Sequence, residues 1–311
     1  MNIAYSCNEA YIQHTGISMI SLFENNKEVK EINIYFVSKD VCHQSLEILK
    51  KICVNYNRNL IIIPFESICY DLKLKDTGRH IETIYSKLFF ERINNIDKIF
   101  YLDSDTIVTG SLEELWDVNL EGYFVAGVET YTVGVKKDLN LLESDIFIND
   151  GIVLMNLKEI RSANLVEEFL NFINYFEGAP PLLSEGTINV VCKNKIKILD
   201  PKYNLMSGFI LYENDSRYYK SSLLGDFYTK EMIINAVASP IVIHYLDAFY
   251  NRPWSRYCTH PLKHQYLYYK TLSPWKNEKL TNRKLSKKMR ITGFIIQKLP
   301  YEIFSFLKKL L

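Results

Sequence analysis

Asp103 and Asp105 flank Ser104 where a short apolar run, Lys98 to Leu102, comes to its end. Two carboxylates two residues apart at the end of a strand place hard oxygen ligands at the carboxyl edge of a sheet. Open α/β sheets bind their ligands at that edge. Such oxygens suit magnesium or manganese, and a divalent ion held there can carry a diphosphate. Asp-x-Asp also recurs by chance and would serve equally well as a solvated turn, so its meaning depends on the rest of the chain. His244 ends a second apolar run that begins at Pro240. A histidine leaving a buried strand can ligate a metal through a ring nitrogen or can simply be hydrogen-bonded in the core. Arg252 follows closely, and a guanidinium there could hold a phosphate.

Two further groups could meet a sugar, and a third a diphosphate. Asn149-Asp150-Gly151 reads as a polar turn before a strand at 152–156, with an amide and a carboxylate able to bond hydroxyls. Glu185 opens a helix, where the helix dipole favours a carboxylate and where the same carboxylate could face a sugar. Lys87, on a predicted helix at 85–93, is either a solvated face residue or a counter-charge for a diphosphate.

The elements that must position these groups alternate in type. Apolar runs at 3–6, 32–37, 60–63 and 98–102 read as strands. Helical spacing lies between them, at 17–23, 46–56 and 85–93. Such β-α alternation predicts an α/β fold with a mostly parallel, doubly wound sheet. Strands follow at 124–128, 152–156, 196–199 and 241–244, with helices at 162–176 and 185–192. The segment 205–232 reads as loops over a site. Neither a G-x-G-x-x-G fingerprint nor a P-loop is present in the sequence, which argues against dinucleotide binding and against a P-loop ATPase.

The 311 residues, 48% of them hydrophobic, suffice for one large domain with an appendage. Six scattered cysteines without C-x-x-C spacing read as reduced thiols of an intracellular protein. Neither a secretory signal nor an 18-residue apolar span is expected. Charge is uneven. Residues 276–311 hold ten Lys or Arg against two Glu, leaving 27 basic and 34 acidic residues in the body. The expected division is therefore a body, 1–275, and a basic amphipathic helical tail, 276–311, that lies on an anionic membrane surface. The acidic body opposes a nucleic-acid role.

Taken in order, the motifs resemble glycosyltransferase family 8, the retaining nucleotide-sugar transferases that include bacterial lipopolysaccharide galactosyl- and glucosyltransferases and glycogenin. The matching pieces are IAYSCNEAY from Ile3, FYLDSDTIV from Phe100, LEELW from Leu112, INDGIVLMN from Ile148 and EGTIN from Glu185. Tyr203-Asn204, IHY from Ile243 and RPW from Arg252 complete the set. The resemblance implies a glycosyltransferase A-type, Rossmann-like fold, with a nucleotide-sugar half at 1–130 and an acceptor half at 131–275. It implies that Asp103, Asp105 and His244 ligate Mn2+ or Mg2+, and that Ser6, Cys7, Asn8 and Tyr11 line the nucleoside pocket. It places Lys87 and Ser104 near the donor, Asn149 and Asp150 on the donor sugar, and Tyr245 and Arg252 near the diphosphate. The chain departs from the family pattern in having Ser184-Glu185-Gly186 where Asp-Gln is common, and in a longer, glycine-free loop at 246–251.

The implied reaction moves galactose or glucose from a UDP-hexose to a saccharide acceptor of a cell-surface glycan, glycolipid or glycoprotein, in the cytoplasm at the inner face of the membrane. Retention requires front-face attack or two inversions. The second route needs a carboxylate opposite the leaving group, for which Glu185 is the candidate. The rival readings are a self-glucosylating protein, a sugar nucleotidyltransferase lacking its Gly-rich signature, and a degenerate sugar-binding scaffold.

Overall fold

The structure, a computed structural model, describes residues 1–76, 82–130, 135–142, 144–212, 228–247, 250–287, 289 and 291. Its centre is a seven-stranded sheet made of β1 (Asn2–Cys7), β2 (Asn33–Ser38), β3 (Asn59–Pro64), β4 (Lys98–Leu102), β6 (Val125–Glu129), β7 (Ile148–Asn156) and β8 (Ile196–Ile198). The strand order is β3-β2-β1-β4-β7-β6-β8. β7 runs antiparallel to both of its neighbours and the other pairings are parallel.

The parallel strands are apolar without alternation because both faces are covered. In β1, Ile3 and Tyr5 face a core built with α1 (Ile12–Glu24) and α2 (His43–Asn55). Ala4 faces the opposite core, formed with the 3-10 helix Glu82–Arg92 and the helix Leu165–Tyr175. This is the doubly wound α/β arrangement expected from the alternation. Phe89 and Phe169 are fully buried in the second core, where truncating either to Ala costs about 3–5 kcal/mol.

A second, three-stranded sheet positions the site. β10 (Val242–His244) lies between β5 (Thr106–Val108), to which it is antiparallel, and β9 (Leu205–Met206), to which it is parallel. The turn Asp103-Ser104-Asp105 joins β4 of the large sheet to β5 of the small one. The β5–β10 register sets His244 opposite Thr106, so the histidine arrives beside the acidic pair.

Several sequence expectations change. Asn149, Asp150 and Gly151 are not a turn but lie within β7, buried between β4 and β6. The helix expected over 162–176 is present as Leu165–Tyr175; a separate short helix, Leu157–Ser162, precedes it, with Asn164 between them in the left-handed region at φ 51°. The element at 85–93 is a 3-10 helix beginning at Glu82. Residues 205–232 include β9, the helix Ser207–Tyr212 and the start of the helix Lys230–Ala238; 213–227 lie outside the described residues. So does most of the proposed tail, 292–311. Its first part is stitched to the body: Thr281 N donates to Trp254 O at 2.8 Å, and Arg283 O accepts from Asn251 Nδ2 and Ser255 Oγ. All six cysteines are free thiols. Among the described residues, no helix is long and apolar enough to cross a membrane.

Candidate active site

Asp103, Asp105 and His244 converge. One ligand atom from each lies within 4.8 Å of the other two. His244 Nε2 is 3.2 Å from Asp105 Oδ1 and 3.8 Å from Asp103 Oδ2. Donors bound to one ion at 2.0–2.1 Å stand about 3–4 Å from each other, so the spacing fits a divalent cation. The chemistry fits as well. His244 is 1% exposed, and its Nε2 is buried without a hydrogen-bond partner. Burial holds its pKa below the ordinary histidine value, favouring a neutral ring with a free lone pair. Asp103 is oriented by Tyr101, whose hydroxyl donates to Oδ1 at 2.7 Å, and by its own N–H, which donates to Gly151 O at 2.8 Å.

Gly151 makes the cluster sterically possible. A Cβ there would stand 2.4 Å from His244 Cε1 and 2.6 Å from Asp103 Oδ2. Sequence reasoning saw this glycine only as part of a turn. Its real constraint is a close approach across two sheets, which no local signal carries.

The cluster opens on a cleft lined by Ser6, Cys7, Tyr11, Thr83, Ile84, Tyr101, Asp103, Ser104, Asp105 and Arg252. Ser6 Oγ and Arg252 Nε of this lining are buried without hydrogen-bond partners, as is Asn8 Oδ1 just beyond the end of β1. Burial pushes the Cys7 thiol up to about 12, so it lines the cleft as an apolar, unreactive group. Thr15 Oγ1 bonds both Cys7 Sγ and Ser104 Oγ, tying α1 to the acidic turn. The Arg252 guanidinium rests on the Asp105 carboxylate and on Tyr245 O. Beneath it Trp254 stacks on His14, ring centroids 3.6 Å apart. The Tyr245 side chain points away from the cleft: it is buried and its hydroxyl donates to Leu262 O at 2.7 Å. Only the Tyr245 backbone serves the site, its N–H donating to Asp105 O at 3.0 Å.

A second cluster lies beyond Gly151. Lys87 is not a solvated face residue. It is 1% exposed, with Nζ 3.0 Å from Asp150 Oδ2 and 2.8 Å from Asp150 O, over the ring of Tyr101. Ser184 Oγ donates to the same Asp150 oxygen. The helix Leu183–Val191 is pinned to β7 by Asn189, whose amide bonds both Ile148 N and Ile148 O. That brings Glu185 Oε2 within 2.7 Å of Asn149 Nδ2. Burial, with the Asp150 charge adding to it, pushes the Glu185 carboxyl up to about 8.

Residues 2–258 match the sequence profile of glycosyl transferase family 8. The chain belongs to this family. The lipopolysaccharide 1,2-glucosyltransferase of Escherichia coli (strain K12) is 24% identical over 286 residues, covering 89% of this chain and 80% of that one. The lipopolysaccharide 1,3-galactosyltransferase of Salmonella typhimurium is 24% identical over 308 residues, 93% and 83% of the two chains. Among solved structures, the galactosyltransferase LgtC, in complex with donor and acceptor sugar analogues, superposes with a TM-score of 0.73 at 18% identity over 93% of this chain and 99% of that one. The fold is therefore the glycosyltransferase A type.

Proposed function

We propose that this family 8 protein is a divalent-metal-dependent, retaining hexosyltransferase that moves galactose or glucose from a UDP-sugar to a saccharide acceptor of a cell-surface glycan, glycolipid or glycoprotein. The observation that carries the reading is the unpartnered Nε2 of His244, facing two carboxylates at the lip of the cleft. The names of the two lipopolysaccharide transferases support hexose transfer, and LgtC with its donor and acceptor sugar analogues supports transfer between a sugar donor and a sugar acceptor.

Asp103, Asp105 and His244 would hold manganese or magnesium. A bound ion of that kind neutralises the negative charge that builds on a departing diphosphate, a contribution of several kcal/mol. Arg252 adds a fixed positive charge beside the same carboxylate. Ser6 and Asn8 offer the nucleoside polar atoms that nothing else occupies, and Tyr11 and Ser104 complete that side of the cleft. Asp150, held by Lys87 and Ser184, and Asn149 are the groups for the sugar hydroxyls. Glu185 is the carboxylate that a double displacement would recruit as its nucleophile. Its raised pKa keeps it protonated near neutrality, which disfavours that role and favours front-face attack.

The tail reading rests on charge. Residues 276–311 carry ten basic and two acidic side chains, and attraction to an anionic leaflet contributes roughly 1 kcal/mol per basic residue near the surface. A peripheral position at the inner membrane face would suit a lipid-linked acceptor.

A panel of nucleotide sugars, assayed for nucleoside diphosphate release with and without manganese, tests the proposal. Turnover of UDP-galactose or UDP-glucose that depends on the metal is expected. Metal-independent turnover, or none with any donor, would contradict it.

A further inference from the structure

The two clusters are joined by a hydrogen-bonded chain that runs in one direction. His244 Nδ1 is 3.1 Å from Asn204 Oδ1, Asn204 Nδ2 is 2.9 Å from Asn149 Oδ1, and Asn149 Nδ2 is 2.7 Å from Glu185 Oε2. An amide oxygen only accepts, so His244 Nδ1 carries the proton and Nε2 is left with its lone pair toward Asp103 and Asp105. Each donor then points toward Glu185, and aligned donors of this kind polarise one another. Asn204 is fully buried, and its side chain makes these two bonds. It enters the site from the residue before β9, on neither the acidic turn nor the strand carrying His244.

We infer that Asn204 is a positioning residue that fixes the Nδ1–H tautomer of His244 for metal binding and couples the metal site, through Asn149, to the Glu185 carboxyl beside the sugar. The coupling follows from elementary chemistry. A cation on Nε2 draws density from the ring and makes Nδ1–H a stronger donor. Asn204 and Asn149 transmit that change to the oxygen of Glu185. The sugar-side carboxyl is thereby held most firmly when the metal site is filled. This inference rests on the metal-dependent reading above.

Two substitutions separate the halves of the chain. Asn204→Leu removes both bonds at similar volume. Asn204→Asp keeps an acceptor for Nδ1–H and removes the donor toward Asn149. Nitrogen-15 NMR of the metal-free full chain is expected to show His244 as the Nδ1–H tautomer in the wild type and in Asn204→Asp, and to show that tautomer lost in Asn204→Leu. Direct manganese titration is expected to give a Kd raised about 10–100-fold by Asn204→Leu and not raised by Asn204→Asp. The Asp variant is expected to lose about tenfold or more in kcat at unchanged donor KM, as befits a lost bond to an ionisable group. An unchanged tautomer and Kd in Asn204→Leu overturn the inference, as does full kcat in Asn204→Asp. If the Leu variant does not fold, the Asp variant decides alone, by a retained tautomer with reduced kcat or by a retained kcat. A wild type that binds no manganese sinks the metal reading instead, and the metal-free tautomer comparison still tests the contact of Asn204 with His244.

Discussion

The two acidic clusters on either side of Gly151 are built on opposite principles. In one, Asp103 and Asp105 face a neutral His244 whose Nε2 has no hydrogen-bond partner. In the other, Asp150 and Glu185 sit among Lys87, Ser184 and Asn149, with their oxygens bonded. The first arrangement leaves a buried ring nitrogen unmatched even with the Arg252 guanidinium on Asp105, and under the proposed function a divalent cation completes it. The second carries its own cation in the Lys87 ammonium and is complete as folded. Carboxylates alone therefore do not mark a metal site. The distinguishing feature is a buried acceptor left unmatched, as opposed to one matched by a buried lysine.

The contrast can be broken most forcefully at Lys87. Lys87→Met leaves the Asp150 carboxylate buried without its cation, and removing one partner of a buried pair costs about 3–5 kcal/mol. Urea unfolding should show that loss. Asp103→Asn, by comparison, keeps an acceptor for Tyr101 and should move stability by less than about 1 kcal/mol. Equal losses from the two substitutions would erase the distinction.

Gly151 sharpens it next. The Cβ introduced by Gly151→Ala collides with His244 Cε1 and Asp103 Oδ2. Metal-dependent turnover should fall at least about 10²-fold, as for loss of a ligand such as Asp105→Ala, because the metal contribution is several kcal/mol. A Gly151→Ala enzyme with wild-type kcat/KM would mean that the cluster is not the working site.

The pH dependence of stability separates the clusters more gently. Glu185 has a folded pKa of about 8, above its ordinary carboxyl value of 4.5. The folded chain therefore keeps a proton that the unfolded chain has lost, and the contribution of Glu185 to stability falls as pH rises from about 4.5 to about 8. The slope is on the order of 1 kcal/mol per pH unit at most. Glu185→Gln should flatten that decline, so its stability relative to wild type grows with pH across this window. Parallel unfolding curves for both proteins over pH 5–8 would rule out the buried protonated carboxyl.

The smallest effect on the site is expected from the tail. Removing residues beyond 291 spares Thr281 and Arg283, which hold the turn around Asn251 and Ser255. Turnover with a soluble acceptor should change by less than about 0.5 kcal/mol in activation free energy, while co-sedimentation with anionic vesicles falls. Unchanged vesicle binding would refute the membrane role.

How far all this was legible depends on the range of the signals. The apolar runs and helical spacing before β4 are local, and they gave the sheet, its parallel pairing and the acidic turn. Asp103, Asp105 and His244 were readable because they stand at or beside strand termini, where ligand edges form. Asn149 to Gly151 were misread as a turn because their composition is that of turns. What keeps them in β7 are partners from Glu185, Asn204 and the backbone of Asp103, all distant in sequence. Whether Lys87 was a solvated face residue or a counter-charge stayed open for the same reason, since its partner Asp150 comes 63 residues later. Asn204 entered only as part of a motif; its place between His244 and Asn149 is set by the small sheet, which the apolar pattern did not reveal.

The comparison stands most directly on a manganese titration of the full chain, followed by electron paramagnetic resonance, for wild type, His244→Ala and Glu185→Gln. One ion per chain is predicted for the wild type. Binding should weaken about 10–100-fold or more in His244→Ala and stay near wild type in Glu185→Gln. Binding that ignores His244, or that is lost with Glu185 while His244→Ala retains it, would contradict the account.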